Sequence, residues 1–446
     1  MVGSSVPRSC LLYALGALAA SALTDSACAQ AVDRTAQAAT SKALSNVSAG
    51  EWSGRSGHSG DAMMKADAIR SAAKDFPKCI DGLRTVAEAR GISRQTFDAV
   101  ADGLKPDLQL LDHLDAQPEF RMAVWQYLDV FLSSDRIDRG REMLTRYRPA
   151  LDAIEKAFGV DRHVLLAIWG IETNYGTEMG QWPVLTSTAT LACIGRRQSY
   201  FRGEFVAALS ILERGDIGRD HFVGSWSGAF GQTQFMPSSF EAFAVDFDRT
   251  GRLDIVGSVP NALASTANYL KVYGWTQGPA SMEVVLPKSF DYSLSDQVEP
   301  RAAGDWAALG VVGADGRPIA SASDASWLFV PAGAHGPSFL IFPNFKSILS
   351  YNPSYAYVLA VMLLSDRLRG GGELRHDWPR SERMLSDAER LELQARLVRR
   401  GFEIGGTPDG HVGVGTRQAI RRFQASVGMI ADGYPSPALY ERLVAP

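Results

Sequence analysis

The sequence predicts a mainly α-helical protein with a small β-containing insert, followed by a second, smaller helical unit. Three observations carry this. Apolar residues recur at helical spacing from Phe76 to about Arg219, as in Cys79-Ile80-Leu83-Val86-Ala87 and Ala153-Ile154-Ala157-Phe158. Between about Met282 and Phe345 that pattern gives way to short apolar runs among Gly and Pro turns, such as Glu283-Val284-Val285-Leu286 and Ser338-Phe339-Leu340-Ile341-Phe342. After a Gly-rich break, Ser386-Asp387-Ala388-Glu389 forms a capping-box pattern ahead of a new helix.

The elements follow in order. Arg8, the apolar run Leu11–Ala20 and the small residues ending Ala27-Cys28-Ala29 read as a secretory signal peptide over residues 1–29, cleaved after Ala29. The run is too short to span a bilayer comfortably. The alternative is a lipoprotein acylated at Cys28, but Asp25-Ser26-Ala27-Cys28 departs from a lipobox. Export places the chain in the periplasm with Cys79 and Cys193 remaining, where a disulfide is permitted but two separate buried thiols are equally consistent. No later segment reads as transmembrane. Residues 30–73, rich in Ala, Ser and Gly, read as a flexible lead. Residues 74–369 form the main domain, with helix returning at Tyr355–Leu364. Residues 370–385, from Gly370-Gly371-Gly372 through Trp378-Pro379-Arg380, read as a linker, and 386–446 as the final unit. A net charge of −4 gives no reason to expect nucleic-acid binding, and seven scattered His residues argue against a zinc site.

The chemistry points first to Glu172. Asp161 is a suitable N-cap, Leu165, Ile168 and Glu172 share a helical face, and Asn174-Tyr175-Gly176 is a stop signal. A carboxyl group among apolar and aromatic side chains is hard to ionise, and the negative end of a helix dipole pushes the same way. Such a group stays protonated near neutral pH, as an acid that protonates a glycosidic oxygen must. Gly224, Gly228 and Gly231 permit tight turning around Ser225, Gln232 and Gln234, whose uncharged donors and acceptors suit sugar amides and hydroxyls. Phe235-Met236-Pro237 offers an apolar wall, and Ser238-Ser239 a cap for the next helix. Tyr200, Phe201, Trp226, Phe230, Tyr269, Tyr351, Tyr355 and Tyr357 are candidates for stacking on sugar rings, of which Tyr355 and Phe230 are read as packing. Arg196 and Arg197 suit carboxylates, or form a solvated basic pair. Asp246-Phe247-Asp248-Arg249-Thr250-Gly251-Arg252-Leu253-Asp254 begins like an EF-hand, but Gly257 replaces the bidentate carboxylate at the twelfth position and Thr250 is a poorer ligand than Asp. The loop is therefore read as degenerate: no cofactor is required, and calcium at Asp246, Asp248, Thr250 and Asp254 is doubtful.

Five segments in order resemble the lytic murein transglycosylase B-type family, from about Phe76 to about Leu368. They are Gly170–Gly176, Gly195–Phe205, Gly224–Phe240, Ala267–Leu270 and Ser350–Tyr357. The final unit resembles the type 1 peptidoglycan-binding domain through Leu393-Gln394, Gly401-Phe402, Asp409-Gly410, Gly413, Thr416, Ala419-Ile420, Phe423-Gln424 and Asp432-Gly433. The resemblance implies a lysozyme-like α+β catalytic domain plus a three-helix module that holds murein. It implies Glu172 as the single catalytic acid, with Ser225 near the substrate N-acetyl group and Gln234, Tyr269, Tyr351, Asn352 and Tyr357 lining the cleft. It also implies cleavage between N-acetylmuramic acid and N-acetylglucosamine with a 1,6-anhydro product, Glu172 serving as acid and then base. Some members of the family carry a calcium-binding EF-hand-like loop at the position of Asp246–Asp254. The implied partner is the peptidoglycan strand, with recruitment by cell-wall synthesis or secretion machinery left open. The rivals are a hydrolytic muramidase and a non-catalytic peptidoglycan-binding scaffold. Glu178 and Glu204, near in sequence, are assigned no catalytic role.

Overall fold

The computed structural model describes residues 52–54, 61–114, 122–296, 299–316, 318–319 and 323–445. The expected signal peptide, Cys28 and most of the expected lead lie outside the described residues. The end of that lead is ordered, which corrects the reading of a flexible segment through residue 73. Asp61 accepts from the Met63 N–H at 2.8 Å and starts a short turn, and helix α1 follows over Ala66–Lys74. Met64 and Ile69 are buried in the main core, and the Arg70 guanidinium lies 5.4 Å from the Trp52 ring centre. Two apolar anchors in an Ala-rich stretch are too few to register as periodicity, yet they suffice to dock one short helix.

The main domain wraps helices around a buried hairpin of helices. α2 (Phe76–Gly82), α3 (Val124–Phe131), α4 (Ser134–Arg146) and α5 (Arg148–Phe158) lead to α6 (Arg162–Thr173). Every residue of α6 from Val164 to Thr173 is buried, so it is apolar all round apart from its last turn. β1 (Trp182–Pro183) pairs with β2 (Val223–Gly224), and between them run α7 (Val184–Cys193) and α8 (Gln198–Arg214). α9 (Pro237–Phe243) and α10 (Val259–Val272) follow. Ser238 does not cap α9 as the sequence suggests. The helix begins one residue earlier at Pro237, and its exposed donors are met by Glu204 of α8, which accepts from the Ser238 N–H at 2.9 Å and its hydroxyl at 2.7 Å.

The insert is a five-stranded antiparallel sheet in the order β4-β6-β7-β3-β5, where β3 is Ser281–Val285, β4 Arg301–Ala302, β5 Val312–Gly313, β6 Ala325–Phe329 and β7 Ser338–Ile341. Side chains alternate across it. Val284, Leu328 and Leu340 pack with Phe290 and Trp306 into a small core of their own. Trp327, Phe329, Phe339 and Ile341 turn to the helices and join the main core. α11 (Pro343–Tyr351) and α12 (Tyr355–Leu368) return the chain to the helical body. Together they are apolar, but they meet at 114°, and among the described residues no single helix is long and apolar enough to cross a membrane.

Residues 370–385, expected as a linker, contain no helix or strand but are pinned along their length. The Arg375 and His376 N–H groups both donate to the Glu283 carboxylate. Trp378 packs against Trp125 and Phe339, and Arg380 makes a two-pronged bond to Asp129 of α3 at 2.5 and 2.9 Å. The last unit is α13 (Asp387–Arg399), α14 (Val414–Ser426) and α15 (Pro437–Val444) around Leu393, Leu397, Ile420, Phe423 and Leu439. The capping box at Ser386 and Glu389 forms as read. Two similar knots hold its loops. Gln394 accepts from the Asp409 and Gly410 N–H groups, and Gln424 accepts from the Gly433 N–H while donating to Asp432. Asp432 also accepts from the Ala334 N–H at 2.9 Å, and Arg421 donates to Ser295, so this unit is seated on the insert.

Cys79 of α2 and Cys193 at the end of α7 form a disulfide with 6.0 Å between their Cα atoms, resolving the choice the sequence left open. It closes a loop 114 residues long. Loop-closure entropy for such a span is about 4–5 kcal/mol. Denaturant unfolding of the oxidised protein against the Cys79→Ser, Cys193→Ser variant is expected to show a loss approaching that size; coincident unfolding midpoints would refute it.

Candidate active site

Glu172 sits where two helices meet end to start. Asp161 caps α6 by accepting from the His163 N–H at 2.7 Å, and Asn174 ends the helix in the left-handed region at φ 49°. The Tyr175 ring folds back over Gly170, where an added Cβ would lie 2.6 Å from its Cζ, so only glycine fits at that point of α6. The last turn is tied from the side by Gln232. Its side-chain oxygen accepts from the Trp169 indole at 2.9 Å, its amide donates to Val256 at 2.8 Å, and its backbone oxygen accepts from the Thr173 hydroxyl at 2.6 Å. Thr173 in turn accepts from the Gly176 N–H at 3.0 Å. Gln232 therefore fixes the helix end and is not turned to a substrate, as the sequence suggested.

Only 4% of Glu172 is exposed. Its Oε1 accepts from the Tyr357 hydroxyl at 2.7 Å, and its buried Oε2 has no hydrogen-bond partner among the described residues. Burial pushes its pKa up to about 8, and the Tyr357 bond pulls it partly back. At neutral pH the group is mostly a neutral acid with one oxygen uncommitted.

Tyr357 enters on the first turn of α12, set by Ser354, which accepts from the Tyr357 N–H. At the far end of the same two helices, Arg369 donates to Asp161 at 2.9 Å. The pair α6 and α12 is thus antiparallel and pinned at both ends. Burial raises the Asp161 pKa, but His163 and Arg369 outweigh it and hold the carboxyl well below the usual range, so the clamp stays ionised.

The predicted cleft residues divide into two groups. Near Glu172 the structure places Tyr357 and Tyr351, with Tyr269 packed against Tyr351. Tyr351 donates to the Thr233 carbonyl, Tyr269 donates to the Ser350 carbonyl at 2.6 Å, and their rings meet edge to face at 5.0 Å. Burial and the nearby Glu172 push the Tyr351 and Tyr357 hydroxyls well above the ordinary tyrosine value, so both remain donors. Asn352 fixes the corner between α11 and α12 by accepting from the Ser354 N–H at 3.0 Å. Gln234, beside Thr233 and at φ 54°, donates to the Met179 and Gly231 carbonyls. Ser225 is fully buried, and its hydroxyl accepts from the Ala229 N–H at 3.1 Å, closing its own Gly-rich turn. The second group lies at the start of α8. Arg196 donates to the Leu114 carbonyl, and the Arg197 guanidinium lies over the Tyr200 ring at 4.6 Å. Burial lowers the Arg197 pKa. This pair is built into packing and is not the solvated basic pair that the sequence allowed. Tyr127 of α3 was not singled out from the sequence; it lies near the Tyr357 hydroxyl and perturbs it electrostatically. A lone Tyr in an apolar helix carries no signal of that placement.

No second carboxylate acts on Glu172 among the described residues; burial and Tyr357 are the influences on it. Glu204 is spent on capping α9, and Glu178 accepts from the Asn174 amide at 3.2 Å. In the EF-hand-like loop the acidic side chains hold hydrogen bonds of their own. Asp246 accepts from the Thr250 and Gly251 N–H groups, Asp248 from Ser258 and Asn261, and Asp254 from the Val256 and Gly257 N–H groups. A Cβ at Gly257 would lie 2.7 Å from Asp254 Oδ2, so a larger residue there would push against that carboxylate. Among the described residues no three His, Cys, Asp or Glu side chains converge on a metal position.

Comparison with known proteins agrees with this architecture. Residues 75–366 match the family described as the transglycosylase SLT domain, and 386–443 match the putative peptidoglycan binding domain. The chain is 32% identical over 248 residues to membrane-bound lytic murein transglycosylase B of Escherichia coli K12, covering 54% of this chain and 65% of that protein, just under two thirds of its length. It is similar to SltB3 of Pseudomonas aeruginosa, solved in complex with NAG-anhNAM-pentapeptide, with 44% identity, a TM-score of 0.79, and coverage of 83% of this chain and 99% of that one. It is also similar to E. coli Slt35, solved in complex with calcium, at 26% identity and a TM-score of 0.56 over 67% of this chain and 92% of that one.

The buried acid predicts a specific stability profile. Its folded pKa of about 8 lies above the unfolded value of 4.5, so the folded state holds the proton more tightly. The contribution is complete below pH 4.5 and is lost as pH rises through about 8. Glu172→Gln, which mimics the neutral acid, is therefore expected to match wild type in melting temperature at low pH, to gain on it steadily between these values and to hold a constant advantage above them. A difference that does not change with pH would contradict the assignment.

Proposed function

The chain belongs to the transglycosylase SLT family, and on that premise we propose that it is a lytic murein transglycosylase, cleaving the β-1,4 bond between N-acetylmuramic acid and N-acetylglucosamine. The observation that carries this reading is a buried, neutral carboxyl group that, among the described residues, has one oxygen without a partner and no second carboxylate acting on it. Ordinary retaining and inverting glycosidases need two carboxylates. With one, the substrate must supply what the second would do.

The steps follow from that. Glu172 gives its Oε2 proton to the glycosidic oxygen as the bond to the muramic C1 breaks. The muramic N-acetyl oxygen stabilises the cationic carbon. The Glu172 carboxylate, its charge eased by the Tyr357 hydroxyl, then takes the proton of the muramic C6 hydroxyl while that oxygen bonds to C1. The proton returns to Glu172, no water is consumed, and the product ends in a 1,6-anhydro ring. The chemistry calls for no cofactor. Tyr269, Tyr351, Asn352 and Gln234 are the proposed walls of the cleft, with Ser225 acting through the shape of its turn. The C-terminal unit holds murein beside the cleft. The likeness to SltB3, solved with NAG-anhNAM-pentapeptide and with NAG-NAM-pentapeptide, supports the substrate class. We assign the protein to the periplasm on the leader read in residues 1–29 and on the disulfide, which suits an oxidising compartment.

Digestion of purified sacculi tests the activity. Wild type is expected to release anhydro-muropeptides, identified by mass spectrometry, and Glu172→Gln none. Hydrated ends would convert the assignment to a muramidase, and no cleavage by wild type would leave a binding scaffold. Tyr357→Phe tests the acid itself. Removing the bond that lowers the Glu172 pKa should move the alkaline limb of the activity profile above pH 8. Loss of a hydrogen bond to the ionised form should also slow turnover about 10- to 100-fold. An unmoved limb would dissociate Tyr357 from the titration.

A further inference from the structure

A cavity of about 860 Å³ lies among the first helices of the main domain, and none of its lining residues belongs to the cleft around Glu172. Its floor is apolar, made by Phe76 and Ile80 of α2, Phe97 of the helix Arg94–Ala101, and Leu104 just beyond that helix. Its walls carry charge of both signs. Arg84 is committed: its guanidinium lies 4.7 Å from the Phe97 ring centre and donates to Asp98 and Asp81. Two other groups are not. Asp102 follows the helix Arg94–Ala101 and is exposed, and its carboxylate has no partner among the described residues. Arg219 reaches in from the turn Arg219–His221 and donates from Nη1 to the Ala99 carbonyl at 2.7 Å. Its other N–H groups have no partner among the described residues.

The charges are placed for a ligand and not for each other. A carboxylate after the last turn of a helix faces the negative end of the dipole, and the helix Arg94–Ala101 has no basic residue in its last turn. Asp102 thus stands where a cation is stabilising. The Ala99 carbonyl that anchors Arg219 is three residues back, about 4.5 Å along the axis. Arg219 and Asp102 therefore flank one apolar hollow without forming an ion pair. A ligand that brings an ammonium to Asp102 and a carboxylate to Arg219 satisfies both, with its apolar part on the floor. In murein the N-acetylated sugars carry no ammonium, whereas a stem peptide containing a diamino acid carries both charges.

We propose that this cavity is a separate peptide-binding site, which takes a murein stem peptide by an ammonium on Asp102 and a carboxylate on Arg219. The inference rests on the murein-cleaving function proposed above. An occupied site holds the protein to peptide-bearing murein independently of the glycan in the cleft.

Peptide binding by the full-length Glu172→Gln protein tests it. A stem tetrapeptide with a free diamino-acid ammonium and carboxylate is titrated by calorimetry, beside its N-acetylated form and a murein tetrasaccharide without peptides. The tetrapeptide should bind at one saturable site, and should still bind when the tetrasaccharide fills the cleft. Asp102→Asn and Arg219→Gln should each weaken it about tenfold, the loss of one charge-assisted hydrogen bond, and leave tetrasaccharide affinity unchanged. N-acetylation of the peptide should cost a similar factor in the parent and nothing further in Asp102→Asn. Both substitutions fall at exposed positions, and the melting temperature of each variant verifies its fold. The site is overturned by the absence of saturable binding, by parental peptide affinity in either folded variant, or by displacement of the peptide by the tetrasaccharide. Equal affinity for a peptide unrelated to murein with the same two charges overturns the stem assignment. Digestion of sacculi by wild type reports on cleavage separately, so failure of the activity and failure of this site are distinct results.

Discussion

The hydrogen bond from Tyr357 to Glu172 joins the last turn of α6 to the first turn of α12, and it works against the strongest force acting on the site. Burial of the carboxyl raises its pKa by penalising the charge, while the phenol hydroxyl stabilises that same charge. The balance leaves an acid that is neutral at neutral pH yet able to become an anion, as the proposed reaction requires. Burial alone would hold the proton too firmly for release. A water-exposed carboxyl would have lost it. Both helices must end at the correct place for that balance to exist. The ends are set by local chemistry: Asp161 and Asn174 bound α6, and Ser354 starts α12.

The rest of the domain keeps these ends still. Gln232 holds the end of α6 at two residues, Trp169 and Thr173, and the Tyr175 ring wedges over Gly170. The Asp161–Arg369 pair closes the other end of the helix pair, but both partners are partly exposed, and such pairs contribute little. Axial register is therefore the work of the buried apolar faces, with the ion pair as a finishing contact. This hierarchy explains why α6 is apolar all round: an acid with an elevated pKa requires dry neighbours on every side.

Much of the site was legible because it depends on short-range signals. The capping residues, the apolar stripe and the stop at Asn174 could all be read along the chain. Glu172 was found from them, and the motif likeness placed Tyr357 and Tyr351 beside it. What was not legible depends on distance or on competition between partners. Gln232, Ser225 and Glu204 have side chains that suit a sugar or an acid as well as they suit a helix end, and only the fold reveals which use each has. Arg197 is a cation by sequence and a packed plane over Tyr200 in three dimensions. The five-strand order of the insert and the Cys79–Cys193 bond join residues too far apart for local pattern to report. The docking of α1 through Met64 and Ile69 escaped for the opposite reason, since so few residues carry it.

The pinned stretch from Arg375 to Arg380 has a consequence for how the C-terminal unit meets murein. On a flexible tether, a second binding unit would sample a cloud of positions, and its benefit would be an effective concentration that falls with tether length. With Glu283, Trp125, Phe339 and Asp129 holding the connection, and Asp432 seated on Ala334, that cloud contracts to one vector. The unit then acts less as a grappling line than as a gauge block. Under the proposed function, a strand gripped by it would arrive at the cleft in one direction and at one offset, so the spacing of the polymer's own repeat would decide which bonds come into line with Glu172.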